Sequence, residues 1–314
     1  MSGETYEHEP VLLTEVLAWL RPSRCGGLFF DGTLGGGGHA AALLAAHPSV
    51  RVLGMDRDPE ARAAAGRRLA VFGDRVRICA GDFREAGRAL EDVAGGEGLE
   101  GALLDLGVSS HQIDRTARGF SFRRSTPLDM RMGGTTGGRR TAADLLAEAS
   151  EEELGRIFRD YGEERAWRRV ARSIVRRRSR RPLRTSDDLV GALEAALGTG
   201  LTMRDKARLF QAVRIAVNDE LTALEEGLDA IREGLAPGGR IVVIAYHSLE
   251  DRIVKRTFRD WSRSCICPPE LPECRCRGAA LGTTLTKRPV RPTAEEAASN
   301  VRARSARLRA WEAR

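Results

Sequence analysis

The sequence contains no apolar run long enough to cross a membrane. A membrane-spanning helix needs roughly 18 consecutive apolar residues, and the longest runs here resemble Ile241–Ala245. The first residues, Met1–Pro10, are polar and acidic and lack the hydrophobic region of a secretory signal. These absences argue against the membrane and secreted classes and predict a cytoplasmic protein.

Cysteine is also scarce, with 6 residues in a chain of 314. That number is too small for a disulfide framework and fits a reducing compartment. Four of the cysteines form two late pairs, Cys265 with Cys267 and Cys274 with Cys276. Four thiolates suit a tetrahedral zinc ion, although paired zinc ligands more often have two residues between them. The pattern predicts a structural zinc site without a catalytic role.

Lysine is nearly absent, since only 3 of the 51 basic residues are lysine. The net charge of +7 is concentrated in residues 156–184, where twelve arginines face three acidic residues. Such a local excess is typical of a surface that binds nucleic-acid phosphates. The arginines predicted to bind them are Arg165, Arg168, Arg169, Arg172, Arg176, Arg177, Arg178, Arg180 and Arg181.

Residues 28–110 alternate between strand-like and helix-like segments. Short apolar runs end at Asp31, Asp56, Asp82 and Asp105, and helix-like segments separate the first three runs. This alternation predicts a doubly wound parallel sheet.

The next convincing strand, Arg240–Ala245, begins 135 residues after Asp105. A parallel crossover is normally much shorter, and the intervening sequence has helical periodicity. We therefore predict an α/β fold: a Rossmann-like sheet in residues 1–113 and 205–314, with a helical domain that recognises nucleic acid inserted at 114–204. A single helix from about Asp205 to Leu235 is expected to lead back to the sheet, and a further strand is expected near Gly282–Thr286.

A glycine-rich turn, Gly35–Gly38, follows the first strand and precedes a helix. Glycine allows the backbone to approach a ligand closely, and the helix start offers unpaired N–H groups. Asp56 lies 21 residues after Gly35, where a carboxylate can accept hydrogen bonds from both hydroxyls of a ribose. The pattern fits either a dinucleotide or S-adenosylmethionine.

Two features favour S-adenosylmethionine. The sequence has no second glycine-rich turn for another mononucleotide, and Phe83 and Asp105 follow the third and fourth strands. Phe83 can stack on adenine, and Asp105 can face a positively charged ligand.

Several longer motifs resemble one family, that of ribosomal RNA small subunit methyltransferase H. They run in order along the chain: His8–Leu13, Asp31–Thr33, Gly36–His39, Asp56–Pro59, Leu104–Gln112, Gly119–Phe122, Pro127–Met132, Tyr161–Glu164, Arg214–Leu221 and Tyr246–Arg252. The resemblance implies a class I methyltransferase that uses S-adenosylmethionine to methylate N4 of a cytosine in the decoding region of bacterial 16S rRNA. The small ribosomal subunit is then the expected partner. The implied cofactor site comprises Gly37, Gly38, His39, Asp56, Phe83, Asp105 and Gln112, of which His39 and Gln112 rest on the resemblance alone.

Methylation of an amino nitrogen needs an acceptor that stabilises developing positive charge. Asp105 and His247 are the candidates, because both follow strands at the edge where ligands of such sheets bind; His111 is a weaker one. The target base must leave its stack, and Phe120, Phe122 and the Pro127–Met132 loop are expected to line a cleft for it.

Three other interpretations remain open from the residues themselves. The basic segment fits a methyltransferase acting on another nucleic-acid amine. It also fits a non-catalytic RNA-binding or ribosome-assembly factor, and the glycine turn with Asp56 fits an NAD-dependent oxidoreductase.

Overall fold

The computed structural model describes residues 9–107, 118–121, 125–134, 140–267, 273 and 275–314. The chain forms two compact units: Met1–Gly107 with Leu221–Arg314, which we call the sheet unit, and Val108–Glu220, the helical unit. None of the helices in the described part of the chain is long and apolar enough to span a membrane.

The sheet unit contains seven strands in the order β3-β2-β1-β4-β5-β7-β6. The strands are β1 (Gly27–Asp31), β2 (Val50–Asp56), β3 (Val76–Ala80), β4 (Leu99–Asp105), β5 (Leu235–Ala245), β6 (Gly282–Thr284) and β7 (Arg307–Ala313). The first five are parallel, and β7 runs antiparallel to both of its neighbours. This topology confirms the predicted Rossmann-like class I α/β sheet with a helical insertion between β4 and β5.

Among the described residues, eight α-helices belong wholly or mainly to the sheet unit. They are α1 (Leu13–Leu20), α2 (Pro22–Cys25), α3 (Gly38–Ala46), α4 (Pro59–Leu69), α5 (Ala86–Ala94), α11 (Glu220–Glu233), α12 (Ser248–Trp261) and α13 (Ala294–Ser299). Two apolar clusters fill this unit. One includes Phe30, Leu104 and Trp311, and the other includes Phe29 and Val242. Parallel strands covered on both faces are apolar almost throughout, so polar side chains stand out where a strand ends.

The helical unit contains α6 (Ala142–Glu148), α7 (Glu151–Arg156), α8 (Trp167–Arg178), α9 (Ser186–Leu197) and α10 (Met203–Asn218), with a π-helical turn at Ile157–Tyr161. Hydroxyl side chains cap four of these helices: those of Thr141, Ser150, Thr185 and Thr202 each accept a hydrogen bond from a backbone N–H three residues on. Such caps satisfy N–H groups that the first helical turn leaves unpaired. The helices enclose a separate apolar core.

The structure has two helices where a single helix was expected from about Asp205 to Leu235. Helix α10 ends at Asn218 and α11 begins at Glu220, because Asp219 adopts a left-handed conformation with φ of 52°. That conformation cannot continue a right-handed helix. Helix α10 packs in the core of the helical unit through Leu209, Phe210 and Val213. The helical unit ends at Glu220, and the sheet unit resumes at Leu221.

The C-terminal tail adds an antiparallel edge to the sheet. Strand β6 coincides with the expected strand near Gly282–Thr286, and β7 inserts between β5 and β6. Trp311 on β7 is fully buried and lies 5.0 Å, ring centre to ring centre, from Trp261 at the end of α12. This aromatic contact connects the last strand to the helix that follows β5.

Candidate functional site

Three carboxylates lie at the carboxyl ends of neighbouring strands in the sheet unit. Asp31 ends β1, Asp56 ends β2 and Asp105 ends β4. Because these strands are parallel and adjacent, their ends meet along one edge, which we call the carboxylate edge. Open α/β sheets bind their ligands outside this edge.

The glycine-rich turn is attached to the carboxylate edge by its backbone. The N–H of Gly35 donates to Asp56 Oδ2 over 2.8 Å. Gly35 has a φ of 51°, and a Cβ there would meet only the Thr33 backbone oxygen, at 3.8 Å, so a ligand can approach the backbone closely. Helix α3 begins at Gly38 without a side-chain cap, and its first N–H groups are therefore suited to an anionic group.

Asp56 is placed to bind a ribose. Its Oδ1 accepts a hydrogen bond from the N–H of Asp58 over 2.8 Å, while its Oδ2 accepts one from Gly35. Burial raises the pKa of this carboxyl despite those two bonds. Each oxygen retains acceptor capacity, so the group can still receive hydrogen bonds from two hydroxyls.

Asp31 lies at the centre of the carboxylate edge and is almost fully buried. Burial raises the pKa of Asp31 to about 7, opposed by the nearby His39 and reinforced by Asp105 and Asp56. The Thr33 N–H donates to its Oδ1 over 3.2 Å. The protonation state of Asp31 thus changes near neutral pH.

Asp105 is partly exposed, with 24% of its side chain accessible. The Tyr246 hydroxyl donates to Asp105 Oδ1 over 2.7 Å. Burial and the adjacent Asp105 carboxylate raise the pKa of Tyr246 well above its ordinary value, so Tyr246 remains a donor. Asp105 Oδ2 lies 3.6 Å from His39 Nε2. The carboxylate is therefore held on one side and accessible from another.

His39 is only 7% exposed, yet neither of its ring nitrogens has a hydrogen-bond partner among the described residues. A buried polar group without a partner is costly unless a ligand or water completes it. The predicted cofactor carries amino, carboxylate and hydroxyl groups that could do so. The accessible backbone at Gly35, the uncapped start of α3 and the ring nitrogens of His39 together suit the site to such a ligand.

Phe83 lies mostly in the apolar core of the sheet unit. Its side chain is 9% exposed, and its ring packs against the backbone at Gly227 of α11, where a Cβ would be 2.4 Å from the ring. This packing leaves only a small part of the ring for the predicted contact with adenine. Asp82, directly before it, caps the short helix Phe83–Glu85 and pairs with Arg57 over 3.2 Å.

His247 is the N-cap of helix α12. Its Nδ1 accepts a hydrogen bond from the Glu250 N–H over 3.4 Å, and its Nε2 lies 3.0 Å from Glu250 Oε1. The structure gives this side chain a capping role, and its predicted catalytic role remains a prediction.

Helix α8 displays arginines along one side of the helical unit. Val170, Ala171 and Ile174 are buried, which leaves the opposite side accessible. We call the exposed set the arginine face: Arg165, Arg168, Arg169, Arg172 and Arg176. Arg165, Arg168 and Arg169 line an open cavity of about 370 Å³. The Arg168 guanidinium lies 4.1 Å from the centre of the Trp167 ring, so an aromatic surface adjoins the cationic groups.

Two of the predicted phosphate ligands have internal partners instead. Arg178 donates from Nη1 to the backbone oxygens of Leu146 and Ala149 over 2.9 and 2.6 Å. It therefore completes the end of helix α6 rather than pointing outward. Arg177 lies 3.5 Å from Asp188 and is 39% exposed. Sequence alone could not separate these two from the arginine face, because all lie within one helix or directly before it.

Three apolar side chains of the Pro127–Met132 loop pack within the helical unit. Leu128, Met130 and Met132 are almost fully buried. Asn218 binds the loop backbone, donating to Met130 O over 2.7 Å and accepting from the Met132 N–H over 2.9 Å. Phe120 also packs against this core. His111, Gln112, Phe122 and Cys274 lie outside the described residues.

Sequence reasoning did not assign roles to Asp31 and Tyr246. Both follow the rule that identified Asp56 and Asp105, since Asp31 ends β1 and Tyr246 directly follows β5. The position of each at a strand end was therefore available as a signal. Their burial and their contacts with His39 and Asp105 were not.

Comparison with known proteins places this geometry in context. Residues 5–314 match the model of the MraW methylase family. The chain is 49% identical to "Ribosomal RNA small subunit methyltransferase H" of Heliobacterium modesticaldum over 98% of both chains. It is 51% identical to the protein of the same name from Gemmatimonas aurantiaca, over 97% of this chain and 94% of that one. A solved rRNA methylase from Streptococcus thermophilus aligns over 98% of this chain and 99% of its own with 10% identity, and its TM-score of 0.43 adds nothing to the assignment.

Proposed function

The chain belongs to the MraW methylase family, and we propose that it methylates N4 of a cytosine in the 16S rRNA of the small ribosomal subunit. Membership confirms the predicted family and the predicted methyltransferase, whose methyl donor is S-adenosylmethionine. The choice of 16S rRNA is supported by the relatives' name, and the choice of N4 by the family resemblance. Because ribosomal RNA is the proposed substrate, the enzyme would act in the cytoplasm.

S-adenosylmethionine supplies a methyl group already activated on a sulfonium. Asp56 would bind the ribose hydroxyls, and the start of helix α3 with Gly37 and Gly38 would bind the carboxylate. His39, whose ring nitrogens have no hydrogen-bond partner among the described residues, would bind a polar group of the cofactor. Phe83 and Gln112 complete the proposed set, Phe83 with the small part of its ring that remains exposed.

The observation that carries the chemistry is the environment of Asp105. Its carboxylate accepts one fixed hydrogen bond, from Tyr246, and remains 24% exposed. An oriented carboxylate can accept a hydrogen bond from the cytosine amino group and stabilise the positive charge that develops there during attack. Orientation by Tyr246 reduces the reorganisation needed at that moment. We therefore assign the catalytic role first to Asp105.

His247 is the second candidate, and its capping role makes it testable. Asparagine is a good helix N-cap, so His247→Asn should preserve helix α12 while removing the imidazole. Activity retained in that variant would leave Asp105 as the remaining candidate.

The arginine face is proposed to bind rRNA phosphates. Its five guanidinium groups are exposed, and Arg172 has only a long contact of 3.6 Å with Glu151. Weak pairing in water contributes little to folding, so these charges remain available to a polyanion. Arg177 is a partial member because Asp188 competes for it, and Arg178 is better explained by its internal bonds.

The proposal is tested by methyl transfer from labelled S-adenosylmethionine to small subunits that lack the modification. Nucleoside mass spectrometry of the product should show N4-methylated cytidine at a single site. Label on a different amine or on DNA would redirect the proposal to another nucleic-acid substrate. Cofactor binding without transfer to subunits or naked rRNA would support a non-catalytic assembly factor.

A further inference from the structure

Three cysteines converge in the segment between helix α12 and strand β6. The Sγ atoms of Cys265, Cys267 and Cys276 all lie within 4.8 Å of one another. We propose that these three thiolates bind a structural Zn²⁺ ion. The site lies within the sheet unit and shares no residue with the carboxylate edge, so it does not depend on the proposed function.

The spacing of the sulfurs is close to that of a zinc site. Tetrahedral zinc with Zn–S bonds of about 2.3 Å brings its sulfurs to about 3.8 Å from each other. Sulfurs within 4.8 Å reach that arrangement through small side-chain adjustments. A disulfide would use only two of the three and leave one thiol unpaired at the same place.

Burial of apolar surface does not account for the clustering. All three cysteines are only partly buried, and Ile266 between the first two is 50% exposed. The described residues between α12 and β6 contain no helix or strand, so few backbone hydrogen bonds hold this segment. Convergence of three thiols on an open surface is expected when a metal ion is the common partner.

The surroundings favour thiolates. The Ile266 N–H points at Cys276 Sγ over 3.4 Å, and such a donor stabilises a sulfur anion.

Arg277 also anchors the segment to helix α12. Its Nη2 donates to the backbone oxygens of Asp260 and Arg263. The metal would therefore join Cys265 and Cys267, which follow α12, to a loop already tied to the end of that helix. Its role is to hold the connection into β6, at the antiparallel edge of the sheet.

The fourth ligand is predicted from the sequence to be Cys274, which lies two positions before Cys276. The experiment below includes this residue separately, so that the three-thiolate site and its fourth ligand are decided independently.

The test is metal analysis of the full-length protein purified without chelators. We expect about one zinc ion per chain, and replacement by Co²⁺ should produce intense thiolate-to-cobalt absorption and tetrahedral d–d bands. Cys265→Ser, Cys267→Ser and Cys276→Ser should each lose most of the metal. Cys79→Ser is the matched control, because Cys79 is a free cysteine on β3, and it should retain the full content.

A second readout avoids dependence on variants. Titration of the wild-type thiols with a mercurial should release zinc in proportion to the cysteines modified, and chelation should lower the melting temperature. Wild-type protein that is well folded, contains negligible zinc and binds no cobalt would overturn the proposal. Equal metal loss in Cys79→Ser would also overturn it. Retention of zinc by Cys274→Ser would assign the fourth position to another ligand.

Discussion

The carboxylate edge and the arginine face hold ionisable groups under opposite conditions. Asp31 is buried and Tyr246 is partly buried, and removal from water raises the pKa of both. The five members of the arginine face are exposed. A buried charge depends strongly on each neighbour, whereas an exposed one is screened by solvent and salt.

The two regions are accordingly suited to different tasks: the carboxylate edge to positioning a ligand, and the arginine face to attracting a polyanion. In the carboxylate edge, each of the three carboxylates accepts at least one hydrogen bond at a defined distance, as expected where one atom must be positioned. In the arginine face, charge is spread along a helix, as expected where a polyanion must be held at many points. Substitutions in the two regions should therefore differ in magnitude and in their dependence on salt and pH.

The largest effect is expected for Asp105→Ala. Loss of a preorganised group that stabilises developing charge costs about 10²–10³ in rate. The rate of methyl transfer should be measured at saturating S-adenosylmethionine, with cofactor binding followed by calorimetry. A variant with normal turnover and only weaker cofactor binding would restrict Asp105 to the cofactor. Asp105→Asn keeps the acceptor for Tyr246 and serves as the shape-matched control.

The next effect concerns Asp31 and pH. Its pKa is raised from 3.8 to about 7, so between these values the folded protein retains a proton that the unfolded chain has lost. This contribution to stability is present below pH 3.8 and is lost as pH rises through 7. Asp31→Asn removes the titration and can keep the bond from Thr33. Relative to wild type, it should gain about 3 kcal/mol of unfolding free energy between about pH 5 and pH 8.

The measurement for Asp31 is denaturant unfolding of both proteins at the two pH values without cofactor. A difference between them that does not change with pH would show that Asp31 does not titrate in this range.

A smaller effect is expected when three members of the arginine face are removed together. Arg165→Ala, Arg168→Ala and Arg169→Ala should weaken rRNA binding roughly tenfold to a hundredfold, because exposed ion pairs contribute less than about 1 kcal/mol each. The slope of log affinity against log salt should decrease by about 2 to 3. Both are measured by filter binding at several salt concentrations.

The control for charge alone removes three exposed arginines of the sheet unit, Arg67, Arg256 and Arg291. An equal loss of affinity in that control would contradict a specific role for the arginine face. Arg178→Ala should instead lower stability, since two backbone oxygens lose their donor.

The smallest effect is expected for Tyr246→Phe. The change removes one hydrogen bond of 2.7 Å to Asp105 and leaves the ring in place. A bond to a charged group contributes about 1.5–3 kcal/mol, and part of it is regained by solvent, so turnover should fall about tenfold. A fall as large as that of Asp105→Ala would mean that Tyr246 contacts the reacting groups itself.

The sheet was largely predictable because its strands are buried on both faces. Apolar runs ending in aspartate located β1, β2 and β4 to within a few residues. Strand β7 was harder, since its sequence alternates arginine with apolar residues. There, Arg309 is buried and pairs with Asp251 over 2.6 Å, a partner 58 residues away that no local pattern could indicate.

The site was predictable in its residues but not in their contacts. Gly35, Asp56 and Asp105 followed from strand ends and spacing. The helix break at Asp219 was not visible, because aspartate is an ordinary residue in a helical pattern and only its φ of 52° ends the helix. The capping role of His247 was not predicted because histidine is not among the preferred N-cap residues, although its contact with Glu250 is local to the first helical turn.

The insertion between β4 and β5 affects the order in which the protein can fold. Leu99 pairs with Leu235 in adjacent strands, so β4 stays unpaired on that side until the ribosome has made more than a hundred further residues, which takes several seconds or longer at about 5–20 residues per second. The helical unit has its own core, formed by contacts within residues 120–217, and can therefore form during this delay. Contacts between residues so distant in sequence slow folding. A helical unit that forms early would shorten the flexible loop that must close before β5 can pair with β4. The insertion that carries the arginine face would thus bring the ends of β4 and β5 closer together during synthesis.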